Sequence, residues 1–341
     1  MKFSVIIATH NRAESLRETL AKLAELATKE EWELIVVDNN STDRTRAVIA
    51  DTAKHFPVEL RYLFEPEQGK FAALNQAIPA SRGEIIATID DDAFAENDWL
   101  DRAAEGLERF GCDFVGGKVL PLWRGPQPAW LPNGPGLHWA VIALMDFGLE
   151  PAEFGCNGIP WPLGVNEVTR REAFTRVGLF DNQLGRKAGT LRNQANREWH
   201  LRARELGIRG FYIPEMVVHH VISADRLTKR YFRRWLYWHG VSRAILYEKL
   251  GVDMESPDDS ELDFSKVPHI AGVPRYLYRR PLQSFLKMVR ETVRRDVVTS
   301  FEHELKLWFY AGVFKQRWKN RGVGSHLRLG QHHNQTVNGQ S

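Results

Sequence analysis

The sequence is poor in cysteine and has no long hydrophobic run. Of its 341 residues only Cys112 and Cys156 are cysteines, which is too few for a metal cluster or a disulfide framework and fits a reducing cytosol. No stretch approaches the roughly 20 apolar residues that cross a bilayer. The apolar run at residues 3–8 is too short for a signal peptide. We therefore expect a cytoplasmic protein, or one that contacts the inner face of the cell membrane without spanning it.

An excess of charge of either sign is also missing. The 46 lysine and arginine residues nearly balance the 43 acidic ones and leave a net charge of +3, so the composition does not predict nucleic-acid binding. Hydrophobic residues make up 43% of the chain, which is enough to bury the core of one large or two modest domains. A Gly-x-Gly-x-x-Gly segment after the first predicted strand is absent, which argues against a dinucleotide oxidoreductase.

Strand and helix signals alternate over the first hundred residues. The apolar runs predict buried strands, and the segments between them have helical periodicity. The predicted strands are 3–8, 33–37, 59–64 and 85–89, and the predicted helices are 15–27, 44–56 and 68–78. This alternation predicts an α/β fold with a parallel sheet and helices on both faces. Because right-handed crossovers bring the strand C-termini to one edge, Thr9, Asp38 and Asp90 are expected to meet there.

Three consecutive aspartates, Asp90, Asp91 and Asp92, follow the fourth predicted strand. Alternate residues of an extended segment point the same way, so Asp90 and Asp92 are expected to converge on one cation while Asp91 faces away. Carboxylate oxygens suit Mg²⁺ or Mn²⁺, which in turn suit a diphosphate. A solvated loop of acids or a helix N-terminus is the alternative interpretation of these three residues alone.

Four segments resemble, in order and spacing, the successive motifs of family 2 glycosyltransferases. They are residues 4–12, 37–43, 69–75 and 90–92, and the resemblance resumes within 163–181 and 212–220, so that it covers roughly residues 3–245. It implies the GT-A fold, a Rossmann-like domain that binds a nucleotide-sugar through a divalent cation. The implied activity is inverting transfer from a UDP-sugar or other NDP-sugar to a glycan or lipid-linked acceptor, as in polysaccharide or cell-envelope synthesis.

The resemblance also implies roles for individual side chains. The loop Ala8–His10 would lie along the nucleoside, Asp38 or Asn39 would accept a hydrogen bond from the base, and Lys70 would meet the diphosphate. The expected nucleotide-sugar contacts are Ala8, Thr9, His10, Asp38, Asn39, Lys70, Asp90 and Asp91. The expected ligands of Mn²⁺ or Mg²⁺ are Asp90, Asp92 and His220, and the expected donor-sugar or acceptor contacts are Trp161, Gly164 and Asn166. Alternatives stay open: a solvated lysine at position 70, a structural histidine at position 220, and core packing for the tryptophans.

The sequence departs from the family pattern at the catalytic base. Family members usually carry a Glu-Asp pair about a dozen residues before the glycine that corresponds to Gly207, and here that pair reads Ala195-Asn196. An amide cannot take a proton, so Asn196 occupies the base position without being basic. Other candidate bases are Glu198, then Asp181 and Glu167. The alternatives are an acceptor that needs little deprotonation, or a protein that binds nucleotide-sugar with weakened or lost transfer. A nucleotidyltransferase would need a glycine-rich phosphate loop, which the sequence lacks.

The chain changes character near residue 226. Helical patterns at 227–250, 282–298 and 301–318 carry basic residues interleaved with aromatics, which favours contact with an anionic membrane surface. A helical subdomain with core aromatics and solvated arginines is the alternative. An acidic connector at 253–274 joins the first two patterns, and the polar residues 325–341 are expected to be disordered. The predicted domains are therefore 1–225 and 226–324, followed by the tail 325–341.

Overall fold

The computed structural model describes residues 1–186, 189–251, 268–270 and 273–319. Most of the predicted connector 253–274 and the whole predicted tail 325–341 lie outside these residues. The strands are β1 Phe3–Thr9, β2 Trp32–Asp38, β3 Leu60–Phe64, β4 Ile85–Ile89, β5 Ala93–Ala95, β6 Phe114–Trp123, β7 Ala152–Glu153, β8 Asn166–Arg170, β9 Gly210–Ile222, β10 His269–Ile270 and β11 Val273–Pro274. The helices are α1 Ala13–Leu23, α2 Thr45–Ala53, α3 Lys70–Ala80, α4 Trp99–Arg109, α5 Leu137–Val141, α6 Arg171–Val177, α7 Ala195–Glu205, α8 Lys229–Leu250, α9 Tyr276–Val293 and α10 Val297–Lys319.

Within the described residues, nine strands form one mixed sheet in the order β3-β2-β1-β4-β8-β6-β9-β5, with β7 also paired to β9. The α/β fold is confirmed, and strands β1 to β4 are parallel as predicted. The rest of the sheet corrects the expectation of a parallel sheet, because β8 runs antiparallel to both of its neighbours, β4 and β6. An antiparallel neighbour needs no crossover helix, so helix–strand alternation is a poor guide to this half of the chain.

The first four strands end at a common edge. Thr9 of β1 lies opposite Asp38 of β2, and Asp38 lies opposite Phe64 of β3. On its other side β1 pairs with β4, whose last residue, Ile89, directly precedes the three aspartates. The polar residues that follow β1, β2 and β4 are therefore gathered at the carboxyl edge of the sheet.

The C-terminal helices pack onto the sheet domain through a separate apolar cluster. Buried residues between 131 and 144 join Phe232 and Trp235 of α8 to Phe301 and Leu305 of α10. These α8 aromatics are core residues, which is the alternative interpretation of the first basic and aromatic helix. In the described part of the chain, every helix is too short or too polar to cross a bilayer.

The backbones of α8 and α10 touch where two glycines face each other's helix. A Cβ atom at Gly240 would lie 1.9 Å from the carbonyl oxygen of Phe309, and one at Gly312 would lie 1.9 Å from that of Tyr237. Only glycine therefore fits at both positions. The crossing fixes α10 on α8, because the carbonyls cannot move aside without shifting a helix.

We expect Gly312→Ala to lower the free energy of unfolding by about 1–3 kcal/mol, the usual cost of forcing an extra carbon into packed structure. Chemical denaturation measures this change. Gly125→Ala is the matched control, because a Cβ there meets no atom within 4 Å and should leave stability near that of the parent. Equal stability of the two variants would contradict the close crossing.

Candidate active site at the carboxyl edge of the sheet

The three aspartates bind cationic groups from separate parts of the chain. Asp90 pairs with Lys70 at the start of α3. Asp91 and Asp92 are buried and share Arg12 of the β1–α1 loop, whose Nη1 lies 2.8 Å from Asp91 Oδ1 and 2.7 Å from Asp92 Oδ2. Asp91 and Asp92 are thus the two carboxylates brought together, rather than Asp90 and Asp92 as the strand geometry predicted. The physical reason is that one guanidinium offsets two buried negative charges.

Asp91 is held by hydroxyl groups as well as by charge. Thr9 Oγ1 donates a hydrogen bond of 2.7 Å to Asp91 Oδ2, and Ser15 Oγ donates one of 2.8 Å to the Asp91 carbonyl. Burial raises the pKa of Asp91 above its usual value against the opposing charge of Arg12, and the neighbouring charge of Asp92 adds to the rise. The hydroxyl of Thr9 is therefore used to position a carboxylate at the end of β4.

Asp92 lies between two arginines and a histidine. Its Oδ2 also accepts a hydrogen bond of 2.8 Å from Arg226 Nη2, and its Oδ1 lies 3.3 Å from His220 Nε2. Burial opposes ionisation of Asp92, but the hydrogen bond and charge of His220, with the charges of Arg226 and Arg12, hold its pKa well below the usual range. Asp92 is therefore a carboxylate anion at neutral pH.

The orientation of His220 suits metal binding. Its Nδ1 lies 2.8 Å from the carbonyl oxygen of Ile142. A carbonyl only accepts hydrogen bonds, so Nδ1 carries a proton, and Nε2 is the ring nitrogen that faces Asp92. A cation bound there would take the place of the Nε2 proton of the charged ring. A backbone acceptor behind the ring is the usual support of a metal-ligating histidine.

The donor set around Asp92 fits a cation that a substrate helps to bind. Among the described residues no group of three or more His, Cys, Asp or Glu side chains is arranged to hold a metal ion by itself. Mg²⁺ and similar cations are commonly held by one or two protein ligands, with phosphate oxygens and water completing the shell. Asp92 and His220 supply two donors of this kind, and both also contact Arg226, while the third predicted ligand, Asp90, contacts Lys70.

The Asn39 side chain makes three hydrogen bonds to the backbone of the segment between β3 and α3. Its side-chain amide donates to the carbonyls of Glu65 at 3.1 Å and Glu67 at 2.7 Å, and its Oδ1 accepts a hydrogen bond of 2.7 Å from the Gly69 N–H. The main-chain carbonyl of the buried Asp38 accepts the Glu65 N–H at 3.0 Å. Asn39 thus has a structural task that an aspartate, lacking the donor, could not perform.

His10 lies on the solvent side of the same loops, directly after Ala8 and Thr9 of β1. Its Nδ1 donates to the carbonyl of Asn39 at 2.8 Å, and its Nε2 accepts from the amide of Gln68 at 3.0 Å. The loop after β1 is therefore joined to the loop after β2 and to the segment before α3. These are the three segments that the resemblance associates with the nucleotide-sugar.

Gly164 and Asn166 flank the turn into β8, and the structure gives them different surroundings. The Gly164 carbonyl accepts a hydrogen bond of 3.2 Å from Lys70, so Gly164 belongs to the aspartate edge. Asn166 is 1% exposed; its Oδ1 accepts from Trp99 Nε1 at 2.9 Å and its amide donates to carbonyls of β6 and β9. These internal bonds occupy the Asn166 side chain and do not support the predicted sugar contact.

A second polar cluster surrounds the predicted base position. Asn196 Nδ2 donates to Glu167 Oε2 and to the Pro162 carbonyl, each at 3.0 Å. His200 donates from Nδ1 to the Asn196 carbonyl at 2.8 Å, and its Nε2 lies 3.1 Å from Glu167 Oε1 without the alignment of a hydrogen bond. The ring of Trp161 stacks on that of His200 with centroids 5.3 Å apart, so Trp161 serves as packing here. A carboxylate thus contacts Asn196, although it comes from β8.

Glu198, the first alternative base, has different partners. It is 0% exposed, its two oxygens contact Arg202 at 3.0 and 3.1 Å, and Lys249 lies 2.5 Å from one of them. Lys249 also pairs with Asp181 at 2.9 Å. Both carboxylates are therefore engaged in ion pairs that fasten α7 to α8 and to the loop before residue 182.

The aspartate edge and the Asn196 cluster are neighbours. A Cβ atom at Gly164 would lie 3.7 Å from Asn196 Nδ2 and 3.8 Å from Lys70 Nζ. Gly164 therefore separates Lys70 and Asp90 from Asn196 and its partner Glu167 by little more than one residue's width. The two clusters therefore adjoin at Gly164.

The sequence pattern predicted no role for Arg12 or Arg226, although both bind Asp92. Arg12 lies within the first matching motif, three residues after β1, and Arg226 follows His220 by six residues. The one sequence feature that could have identified them is shared: each is a basic residue a few positions after a strand that ends at the acidic edge. The partners are distant in sequence, and Arg226 is 134 positions from Asp92.

The comparisons with known proteins agree on a family. The model of Glycosyl transferase family 2 matches residues 4–175. Glycosyltransferase AglE of Haloferax volcanii is 36% identical over 118 residues, which are 34% of this chain and 38% of that protein. The glucosyl-dolichyl phosphate glucuronosyltransferase of the same organism is 27% identical over 262 residues, which are 72% of this chain and 77% of that protein.

A solved structure shares the fold. The mannosyltransferase PcManGT from Pyrobaculum calidifontis, solved in complex with GDP-Man and Mn²⁺, superposes with a TM-score of 0.55 at 18% sequence identity. The match covers 95% of this chain and 76% of that chain. At this identity the likeness shows that this chain has the GT-A architecture of that enzyme.

We expect Arg12→Gln to lower the free energy of unfolding by about 3 kcal/mol, because it leaves Asp91 and Asp92 buried with less compensating charge. Denaturant unfolding at neutral pH measures the loss. Arg17→Gln is the matched control, since Arg17 pairs with Glu14 on the exposed face of α1 and such pairs contribute about 0–1 kcal/mol. Similar stabilities for the two variants would mean that Arg12 does not balance the aspartates.

Proposed function

Because the chain belongs to Glycosyl transferase family 2, we propose that it transfers a sugar from a nucleotide-sugar to a glycan or lipid-linked acceptor. The observation that carries this proposal is the aspartate edge, where Asp92 meets His220 and Arg226. The expected donor is a UDP-sugar or another NDP-sugar. Its nucleoside would lie along the loops of His10 and Asn39, and its diphosphate would lie beside Asp92.

Asp92 and His220 are the residues that would hold Mn²⁺ or Mg²⁺. The fit rests on two observations. The ionised carboxylate of Asp92 lies 3.3 Å from His220 Nε2, and the other ring nitrogen, Nδ1, donates a hydrogen bond to a backbone carbonyl. When bound, the cation supplies Lewis-acid stabilisation of the diphosphate that leaves. Arg12, Arg226 and Lys70 bring positive charge to the same edge and would orient the phosphate oxygens.

Glu167 is the base that we propose for the acceptor. Asn196 donates a hydrogen bond to its carboxylate, His200 Nε2 lies 3.1 Å from its other oxygen, and Glu167 is only 4% exposed, so its charge acts in surroundings from which water is largely excluded. The acceptor oxygen would attack the anomeric carbon as the bond to the diphosphate oxygen breaks. The hydroxyl proton would pass to Glu167, and the bonding electrons would leave with the nucleoside diphosphate. This single displacement inverts the anomeric centre.

A lipid-linked acceptor is supported by a relative and by surface chemistry. The Haloferax volcanii relative that aligns with 72% of this chain is named a glucosyl-dolichyl phosphate glucuronosyltransferase. The C-terminal helices after residue 226 carry the basic residues expected near an anionic lipid surface. The domain boundary at residue 226 and the cytoplasmic location stay predictions.

A nucleotide-sugar-binding protein without efficient transfer is the second candidate. The observation that favours it is Ala195-Asn196 at the position of the family's Glu-Asp pair. Loss of a positioned base typically costs about 10²–10⁴-fold in rate, so a decayed site would still bind its donor. Donor binding with no turnover across a panel of NDP-sugars and acceptors would favour this function.

We expect Asp92→Asn to weaken Mn²⁺-dependent NDP-sugar binding by roughly tenfold or more, because it removes an anionic ligand while keeping the side-chain shape. Isothermal titration with and without Mn²⁺ measures the effect. Asp51→Asn on the exposed face of α2 is the control and should bind like the parent. Unchanged Mn²⁺-dependent affinity in Asp92→Asn would remove Asp92 from the metal site.

We expect Glu167→Gln to lower kcat by about 10²–10⁴-fold while donor affinity stays near that of the parent, because a base acts mainly on the transition state. The double variant Glu167→Gln/Asn196→Asp moves the carboxylate across the 3.0 Å contact to α7 and should recover part of the lost turnover. Steady-state kinetics and donor titration measure both variants.

Glu198→Gln is the matched control for these variants. It breaks the ion pairs with Arg202 and Lys249 and should lower the melting temperature without a comparable loss of kcat in the folded protein. A Glu167→Gln variant as active as the parent would refute Glu167 as the base. Selective loss of turnover in Glu198→Gln would assign the base to Glu198 instead.

A further inference from the structure

The outer face of α9 carries an exposed apolar stripe. It consists of Leu282, Phe285, Leu286, Val289 and Val293, whose spacing places them along one side of a helix. Between 43% and 79% of each of these residues is exposed. Large apolar side chains grouped in this way mark an interaction surface more often than chance exposure does.

The opposite side of α9 attaches it to the protein. The buried residues Leu277, Ser284 and Glu291 recur every seven positions, which is two helical turns, and α9 packs through this side on α10. The apolar stripe is therefore directed away from the protein body.

Exposed basic side chains border the stripe. On a helical wheel Arg279, Arg290, Arg294 and Lys287 follow one another directly beside the apolar residues. The one acidic residue of α9, Glu291, is buried and paired with Arg290 and Arg294 at 2.5 and 3.6 Å. The accessible face of α9 therefore combines apolar area with positive charge.

We propose that this stripe docks the protein on the surface of an anionic lipid bilayer. An amphipathic helix with Leu and Phe on one face and Lys and Arg beside them lies in the interface, where both the apolar area and the attraction to anionic lipids contribute to binding. A second copy of the chain is a poorer occupant, because a two-fold interface would bring the basic border against itself.

This proposal rests on the proposed function in one respect, because docking on a bilayer would bring the enzyme to a lipid-linked acceptor. It also narrows the predicted membrane contact, which the sequence pattern extended over three helices. The aromatic residues Phe232 and Trp235 of α8 are buried, whereas the large apolar residues of α9 are exposed. The structure thus assigns the contact to the second basic helix rather than to the first.

Co-sedimentation of the full chain with vesicles tests the surface. We expect binding to phosphatidylcholine vesicles that contain phosphatidylglycerol, weaker binding to phosphatidylcholine alone, and a decrease as salt rises. Leu286→Glu/Val289→Glu should reduce the vesicle partition coefficient by roughly tenfold or more, because it replaces inserted apolar groups by charge. Lys287→Glu should reduce binding to the anionic vesicles selectively.

Leu149→Glu is the matched control, because Leu149 is more exposed than Leu286 and Val289 but lies far from α9 in the chain, and vesicle binding of this variant should equal that of the parent. Donor titration with each variant separates this proposal from the proposed function. Unaltered vesicle binding in Leu286→Glu/Val289→Glu with donor binding intact would overturn the surface alone. A concentration-dependent dimer in light scattering that the same double variant abolishes would also overturn it, because a second copy would then cover the stripe.

Discussion

The site depends on the neutralisation of three adjacent carboxylates at the end of one strand. Asp91 and Asp92 are buried, and two carboxylates cannot stay ionised side by side without positive charge between them. Arg12 supplies that charge to both, Arg226 adds a second cation at Asp92, and Lys70 binds Asp90. These cations come from the β1–α1 loop, the segment after β9 and the start of α3. Charge balance at one point therefore fixes the relative positions of three distant parts of the chain.

At the same edge, the carboxylate beside the expected base position comes from a different element than the family pattern implies. Helix α7 carries an amide at position 196 where its family usually has an acid. Strand β8 carries Glu167, whose carboxylate lies 3.0 Å from that amide. The hydrogen bond between them keeps the carboxylate of the proposed base next to the position where the family's acid would lie. A substitution that looks inactivating in the sequence is compatible with a complete site in three dimensions.

Local patterns predicted the first half of the fold and the position of the three aspartates, because strand alternation and strand ends are local properties. The roles of Arg12 and Arg226 could not be predicted, because they depend on pairings formed only when the sheet assembles. The predicted sugar contact of Asn166 also failed, because the sequence does not reveal that hydrogen bonds to α4, β6 and β9 occupy its side-chain amide. Helical periodicity identified both α8 and α9 as amphipathic. It could not tell that the aromatics of α8 face the core while Phe285 and Leu286 face solvent.

The bonds of Asn39 have an entropic consequence for ligand binding. Its amide fixes the carbonyls of Glu65 and Glu67, and its oxygen fixes the N–H of Gly69, all before any nucleotide arrives. Confining the backbone of one residue costs about 1–2 kcal/mol in conformational entropy. A residue that is already confined therefore adds less to the cost of ligand binding. Part of the affinity for the nucleoside of the proposed donor would therefore arise from the order that Asn39 imposes on these loops. The backbone that this donor would meet is already ordered before binding.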